Sequence, residues 1–417
     1  MTYPADGGSG MPQHKVLVLA PYLTVEHAGA AQSTITILQA LSRAGWADVT
    51  VAAYTWDETL LPTNVRRIRM SEETWPGWSW RLFPLPDYLH GVRALRASHV
   101  GEFDLCYTQS IALGLAYRRL HPLVPIASHP GAVLWSREVM EESSAPVRWR
   151  RVGARIARWL ERRSYREPRW VHLVSSKLVG EIRAESFGLD ARTFSVAPLP
   201  VDPTRFDPAT VARDVRAELG LAPADFVVIS VARLVAWKRI DAVIRAVAGI
   251  RRRLVLIVVG DGPERERLQA LAAELGTIER VRFVGRQDPP PYLAAANLFV
   301  LPSLVESFGL AYVEAMMMGL PCIGLRYRPP EVLSAASEIL GEGEFGFCVD
   351  TDEELRATIE KLAANPQRCR MLGERARSVA SARFTPDQYV QRLRGLLDGE
   401  KGRTGVETDG SLSAYRH

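Results

Sequence analysis

Two glutamates in VESFGLAYVEAMMMG (305–319), Glu306 and Glu314, stand eight positions apart with Gly309 between them. The apolar run LFVLPS (298–303) ahead of them reads as a buried strand, and the run behind Gly309 reads as a helix. Glu306, Ser307 and Phe308 are therefore expected in a strand-to-helix turn at the carboxyl edge of a parallel sheet, where open α/β sheets bind ligands. A helix starting near Gly309 and Leu310 presents unpaired amides and a positive dipole end that suit a diphosphate, and glycine there lets the ligand approach the backbone. The two acids are then left for hydroxyl groups, Glu306 on one side of the phosphates and Glu314 on the other. A nucleotide-sugar has that pattern, with the transferred sugar and the ribose flanking its diphosphate. The plainer alternative makes Glu306 a first-turn acid favoured by the dipole and Glu314 an ordinary helical residue.

Arg233 and Lys238 lie at and after the end of the apolar run FVVISVAR (226–233). A fork-shaped guanidinium and a point-charge ammonium on the same sheet edge as that helix dipole can neutralise a leaving diphosphate; the alternative is a solvated basic loop. GDGP (260–263) has too few glycines for a dinucleotide fingerprint and reads as a turn. In the amino-terminal half, HAGAAQST (27–34) joins the first strand to a helix, and His129 in ASHPGA (127–132) ends another predicted strand.

These residues need a scaffold of parallel strands, and the chain supplies the pattern. Apolar runs recur as KVLVLA (15–20), DVTVAA (48–53), LCYTQS (105–110), PIASHP (125–130), VHLVSS (171–176) and SVAPLP (195–200). They resume with FVVISVAR, LVLIVVG (254–260), VRFVGR (281–286), LFVLPS and PCIGL (321–325), with helical stretches between. Runs apolar throughout are expected of strands covered on both faces, so the reading is two layered α/β domains. PLPVDPTRFDPA (198–209) is the expected hinge. The predicted boundaries are a disordered amino terminus over 1–13, a first domain over 14–205, a second over 206–383, a carboxy-terminal helix over 384–398 and a disordered tail over 399–417.

The 417 residues, 47% of them hydrophobic, are enough for two domains. The polar, glycine-rich first 13 residues do not read as a signal peptide, and no run approaches a spanning helix, so a cytoplasmic protein is expected. The four cysteines, Cys106, Cys322, Cys348 and Cys369, are scattered and form neither a disulfide framework nor a zinc site. Nine arginines against Glu161 and Glu167 lie between Val147 and Arg169, an excess larger than the net charge of +5 of the whole chain. Within that segment Trp149, Val152, Ile156, Trp159 and Leu160 fall at helical spacing. An apolar stripe backed by arginines fits either a helix lying on an anionic membrane surface, with peripheral attachment to its inner face, or a surface helix packed on the core. A second aromatic cluster, Trp75, Trp78, Trp80, Phe83 and Tyr88, would suit an acceptor surface or a membrane edge. No nucleic-acid motif accompanies the basic segment. Asp350-Thr351-Asp352 spells a possible metal motif but precedes EELRATIEKLA and reads as a helix start with first-turn acids. No metal or other cofactor is expected.

The run LFVLPSLVESFGLAYVEAMMMGLPCIG resembles the E-x7-E signature of the retaining glycosyltransferases of family four, and VARLVAWKRID (231–241), VVGDGPE (258–264) and VRFVGR are similar to that family's other motifs in the same order. The resemblance is dense over about residues 226–350 and thinner over 14–205. It implies the GT-B fold, two Rossmann-like domains with parallel sheets facing across a cleft, 14–205 binding the acceptor and 206–383 the nucleotide-sugar, with the helix over 384–398 crossing back to the first domain, and metal-independent, retaining transfer from a nucleoside-diphosphate-sugar to an acceptor hydroxyl. It assigns His129, Arg233, Lys238 and Glu306 to catalysis. Donor binding falls to Gly29, Ala30, Val284, Gly285, Ser307, Phe308, Gly309, Leu310 and Glu314 beside Arg233, Lys238 and Glu306. Gly29-Ala30 departs from the usual glycine pair. ASEILGEGEFGFCV (336–349) fits the family pattern through Glu338, Gly343 and Gly346, whereas RYRPPEVLSA (326–335) is longer than usual, which leaves the donor open. The expected partners are the donor and a saccharide or lipid-linked acceptor of cell-envelope synthesis, with no nucleic acid. A small soluble acceptor and an inactive nucleotide-sugar-binding scaffold are the competing readings. A GT-B isomerase or phosphorylase is a further alternative, the latter requiring a pyridoxal-phosphate lysine for which the sequence shows no motif.

Overall fold

The computed structural model describes residues 14–24, 30–71, 85–130 and 147–398. The expectations of disorder over 1–13 and 399–417, Gly29, and the aromatics Trp75, Trp78, Trp80 and Phe83 lie outside the described residues. The chain forms two compact units. The first comprises Met1–Val174, Arg183–Ala197 and Asp387–His417, and the second comprises Ser175–Ile182 and Pro198–Pro386.

The first unit contains strands β1 (His14–Leu19), β2 (Tyr22–Leu23), β3 (Ala47–Ala53), β4 (Thr55–Trp56), β5 (Arg66–Arg69), β6 (Leu105–Thr108), β7 (Ile126–Ser128), β8 (Trp170–Val174) and β9 (Phe194–Val196). Seven of them form a sheet in the order β5-β3-β1-β6-β7-β8-β9, parallel throughout. The continuous apolar runs follow from burial on both faces. In β1, Val16 and Val18 pack with Ile35 and Leu38 of the helix Ala30–Arg43, while Leu17 and Leu19 pack with Leu113 and Tyr117 of the helix Ile111–Leu120. The carboxy-terminal helix Pro386–Leu397 lays Tyr389, Val390 and Leu393 into the Val16 face.

The basic segment forms the helix Val147–Ser164. Its packed row is Ile156 and Leu160, with Val152 half-buried one turn earlier. Trp159, placed by spacing in the same stripe, is instead 59% exposed, because it lies one position round the helix from Leu160. Glu161 turns inward, where its carboxylate pairs with the buried Arg183 and accepts from the Tyr165 hydroxyl at 2.6 Å. Tyr88 is half-buried against the same core rather than displayed.

The second unit contains β10 (Phe226–Val231), β11 (Leu254–Val259), β12 (Val281–Gly285), β13 (Leu298–Val300), β14 (Val305–Glu306), β15 (Cys322–Leu325), β16 (Leu333–Ser334) and β17 (Gly346–Val349). Its six-stranded sheet runs β12-β11-β10-β13-β15-β17, again parallel, and β14 pairs separately with β16. Both units are therefore doubly wound, Rossmann-like sheets. Residues 175–182 and 198–205, expected in the first domain, group with the second unit. The cause is local bonding: the Glu338 carboxylate accepts the amides of Lys177 and Leu178 at 2.8 Å each, and Val201 donates to the Phe384 carbonyl at 3.0 Å. All four cysteines are buried and free. Among the described residues no helix is long and apolar enough to cross a membrane.

Leu393 is 1% exposed within the first unit's core. Leu393→Ala should therefore cost about 2–5 kcal/mol, the range for burying a cavity in place of a leucine. Urea unfolding of the full chain checks this, and a loss within a few tenths of a kcal/mol would mean the helix is not docked.

Candidate active site

Strand order in the second unit reverses between β10 and β13, and a crevice opens at the carboxyl ends of strands on either side of such a switch point. The loop after β10 carries Arg233 and Lys238, and the segment after β13 carries Glu306. One backbone bond fastens the two loops together, from the Leu304 amide to the Trp237 carbonyl at 2.8 Å. Lys238 Nζ consequently donates to Glu306 Oε2 at 2.6 Å, with both side chains largely buried. A lysine and a carboxylate 68 residues apart in sequence are thus brought into direct contact. The other side of Glu306 is held by β16, whose neighbour Ala335 donates its amide to the Glu306 carbonyl at 2.9 Å. The long segment 326–335 therefore supplies, in Leu333 and Ser334, the partner strand of Glu306.

Arg233 is exposed on its loop. That loop lies flat on GDGP: Ala232 and Leu234 donate their amides to Val259 and Asp261 carbonyls at 3.0 and 2.9 Å. A Cβ at Gly260 would fall on the Ala232 carbonyl oxygen, and one at Gly262 on that of Leu234. The glycines of this turn exist for close backbone packing under Arg233. Val284 and Gly285 end β12, where the Gly285 carbonyl accepts from the Gly260 amide at 2.8 Å and the Val284 carbonyl accepts from the Gln287 side chain at 3.3 Å.

Gly309 caps the helix Leu310–Met317 in the left-handed region, φ 85°, and a Cβ there would strike the Tyr312 ring. Phe308 is buried edge-on against Phe384, and the Ser307 carbonyl accepts from Ser176 Oγ at 2.8 Å, so the turn that follows Glu306 is held in place. Glu314 sits one turn inside the helix, as expected. It keeps some exposed surface, yet loss of water around its carboxyl lifts its pKa to about 7; Arg205 pulls the value down and Asp288 pushes it up. Arg205 and Asp288 are themselves paired at 2.7 Å. Neither was anticipated from sequence, because Arg205 lies in the expected hinge and Asp288 in a loop after β12.

His129, in the first unit, is fully buried at the carboxyl end of β7. Its amide donates to the Thr108 carbonyl at 2.9 Å, and Nδ1 lies 2.6 Å from the Tyr389 hydroxyl. Burial foremost, and the Arg183 charge after it, hold its pKa down to about 3, so the imidazole is neutral. Ala30 opens the helix Ala30–Arg43. Asp350 and Asp352 are each ion-paired, with Arg326 at 3.1 Å and Arg239 at 2.7 Å, and the cap of the following helix is Thr351, whose hydroxyl accepts from the Glu354 amide.

A family model for "Glycosyl transferases group 1" matches residues 211–379. A GDP-mannose-dependent alpha-(1-6)-phosphatidylinositol monomannoside mannosyltransferase of Mycolicibacterium smegmatis is 31% identical over 323 residues, 72% of this chain and 78% of that protein. The lipopolysaccharide core biosynthesis glycosyltransferase LpsE of Rhizobium meliloti is 35% identical over 186 residues, 43% of this chain and 52% of its own length. Among solved structures, HepE of Anabaena in complex with UDP and glucose superposes with a TM-score of 0.71 at 22% identity, covering 93% of this chain and all of that one. Sucrose-phosphate synthase of Thermosynechococcus elongatus gives 0.74 at 22% identity, covering 93% and 99%. These likenesses establish the two-domain GT-B fold.

A carboxyl whose folded pKa is raised destabilises the fold as pH climbs through that pKa, since the native state resists the ionisation that the unfolded chain allows. Glu314→Gln should therefore gain stability relative to the parent protein between pH 5 and 8, by on the order of 2 kcal/mol at the upper end. Denaturant titrations across that range check the sign; a pH-independent difference would mean that Glu314 ionises normally.

Proposed function

The chain belongs to the group 1 glycosyl transferases, and from that membership we propose that it moves a sugar from a nucleoside-diphosphate-sugar to an acceptor hydroxyl with retained configuration and without a metal. The observation that carries this reading is the Lys238–Glu306 contact beside the amino end of the Gly309 helix. Lys238, Arg233 and the first amides of that helix receive the diphosphate, each well-aimed donor being worth ~2.7–4 kcal/mol as charge develops. Glu306 accepts from hydroxyls of the transferred sugar, and Glu314 from the ribose. In the reaction the bond between the anomeric carbon and the phosphate oxygen breaks, the acceptor oxygen bonds to that carbon on the same face, and the acceptor proton passes to the departing phosphate. His129 contacts the sugar. The UDP complex of HepE and the GDP-mannose dependence named for the mycobacterial relative support a nucleotide-sugar donor and leave its base and sugar open.

For the acceptor, the favoured reading is a lipid-linked saccharide or glycolipid at an anionic membrane in cell-envelope synthesis. Its support is Trp159, exposed on a helix where Arg151, Arg155 and Arg162 are exposed too, with Arg166 exposed just beyond its end, together with the phosphatidylinositol monomannoside and lipopolysaccharide core named for relatives. A small soluble acceptor is the second reading, favoured by the packing of Ile156 and Leu160 on the core.

Nucleoside diphosphate release from a panel of nucleotide-sugars tests the reaction and identifies the donor. Because Glu306 neutralises Lys238 in the ligand-free protein, Glu306→Gln should abolish transfer while nucleoside diphosphate binds as tightly or tighter by calorimetry. Lys238→Ala should weaken binding and lower turnover by ~10²–10³-fold. Weaker diphosphate binding by Glu306→Gln would place that acid on the nucleotide instead. EDTA should leave the rate unchanged, and inhibition reversed by manganese would overturn metal independence.

Flotation with anionic and neutral liposomes decides the acceptor surface. At ~1 kcal/mol for each arginine near an anionic surface, the parent protein should float only with anionic vesicles. Replacing Arg151, Arg155, Arg162 and Arg166 with glutamine should release it without changing donor hydrolysis. A parent protein that stays at the bottom of the gradient would leave the soluble acceptor.

A further inference from the structure

Resting on the reading that His129 meets the donor sugar, we propose that Tyr389 is a positioning residue that holds His129 in the tautomer with its proton on Nε2, so that the imidazole acts on the substrate as a hydrogen-bond donor. Tyr389 comes from the carboxy-terminal helix, 260 residues away in sequence, and nothing in its surroundings along the chain marks it as functional.

Three observations lead there. His129 is 0% exposed, its Nδ1 lies 2.6 Å from the Tyr389 oxygen, and the two rings stack at 5.8 Å and 14°. Among the described residues its Nε2 is buried without a hydrogen-bond partner, a costly arrangement that a bound ligand would relieve. Behind Tyr389 runs a chain of buried polar groups: its oxygen is 3.3 Å from that of Tyr107, which accepts from the Gln109 amide at 3.4 Å, and the same amide donates to Ser33 Oγ at 2.9 Å.

The proposed tautomer fixes the direction of the chain. An amide nitrogen only donates, so the Tyr107 oxygen accepts from Gln109; that oxygen has a second lone pair and could also accept from Tyr389, and the proposed arrangement is the one in which the Tyr107 proton turns to the Tyr389 oxygen. The Tyr389 proton then goes to Nδ1. A neutral imidazole that accepts at Nδ1 must carry its hydrogen at Nε2, the atom without a partner among the described residues. Both tyrosines are held in the protonated form by burial, so the chain keeps its direction over the ordinary pH range. The opposite direction, starting from a proton on Nδ1 and ending on the Gln109 oxygen, would leave a bare lone pair at Nε2. That would repel sugar oxygens unless their hydroxyls turned to donate.

Long-range proton–nitrogen correlation spectra of the full-length protein, with His129 assigned by loss of its signals in His129→Gln, read the tautomer without any donor present. The parent protein should carry its proton on Nε2. Tyr389→Phe keeps the stacked ring and removes the hydroxyl. It should yield mixed tautomers and a kcat lower by ~10–100-fold, the effect of removing a partner that orients a functional imidazole at metal-bound histidines, with KM for the nucleotide-sugar little changed. If that variant does not fold, Tyr107→Phe breaks the chain one step back and should shift the tautomer in the same direction. A proton on Nδ1 in the parent protein, or an unchanged tautomer and kcat in Tyr389→Phe, overturns the proposal. Failure of the parent protein to release a nucleoside diphosphate from any nucleotide-sugar would instead sink the transferase reading, while the tautomer measurement would still stand.

Discussion

Parallel pairing of β10 with β13 is the constraint on which the site in the second unit depends. Both strands point the same way, so the loops that leave them emerge on one edge, although the residues they carry are far apart in the chain. The helices after the two strands go to opposite faces at a switch point, and this keeps the edge open. The 2.8 Å bond between Leu304 and Trp237 then fixes the distance between the loops, and the Lys238–Glu306 contact is its side-chain consequence. Such a pair is weak support for stability, because taking two charges partly out of water costs about what their attraction returns. It is a better sign of a site in which each charge awaits another partner.

Backbone proximity is the second theme. Gly260 and Gly262 admit the Ala232 and Leu234 carbonyls, and Gly309 adopts a left-handed conformation against the Tyr312 ring. At Gly260 and Gly262 a methyl group would push away the loop that carries Arg233, and at Gly309 it would strike the Tyr312 ring in the turn that carries Glu306. The segment 326–335, where the family pattern breaks, belongs to the same frame, since Leu333 and Ser334 form the strand that pairs with Val305 and Glu306. A change of length there is transmitted to the acid nearest the transferred sugar in the proposed reaction, which gives donor choice a physical route into this loop.

Desolvation sets the protonation states in both units. In the first it leaves His129 neutral, with a single ring proton whose position is assigned, in the proposed arrangement, to the influence of Tyr389. In the second it raises Glu314 toward neutrality, with Arg205 and Asp288 acting in opposite directions. The same loss of water that costs stability at Glu314 strengthens any hydrogen bond its carboxylate later makes.

Periodicity and turn chemistry made the two doubly wound sheets legible in the sequence, because a parallel strand covered on both faces must be apolar throughout and must end where a loop begins. For that reason the sequence places Arg233, Lys238, Glu306 and Gly309 at one sheet edge. It does not place their contacts, since strand order and the Trp237–Leu304 bond are decided by which strands become neighbours, and local pattern does not encode that choice. The limits of the units shifted for a similar reason: residues 175–182 follow their bonds to Glu338 and Ser307 rather than their place in the chain. Trp159 fits an apolar stripe by spacing, yet the packed row ran through Ile156 and Leu160 once the helix met its neighbour. Tyr389, Arg205 and Asp288 carry no local signal at all. Tertiary packing alone brings a tyrosine from the last helix to the histidine that ends β7, because hydrogen-bond partners of a buried group are found in space and not along the chain.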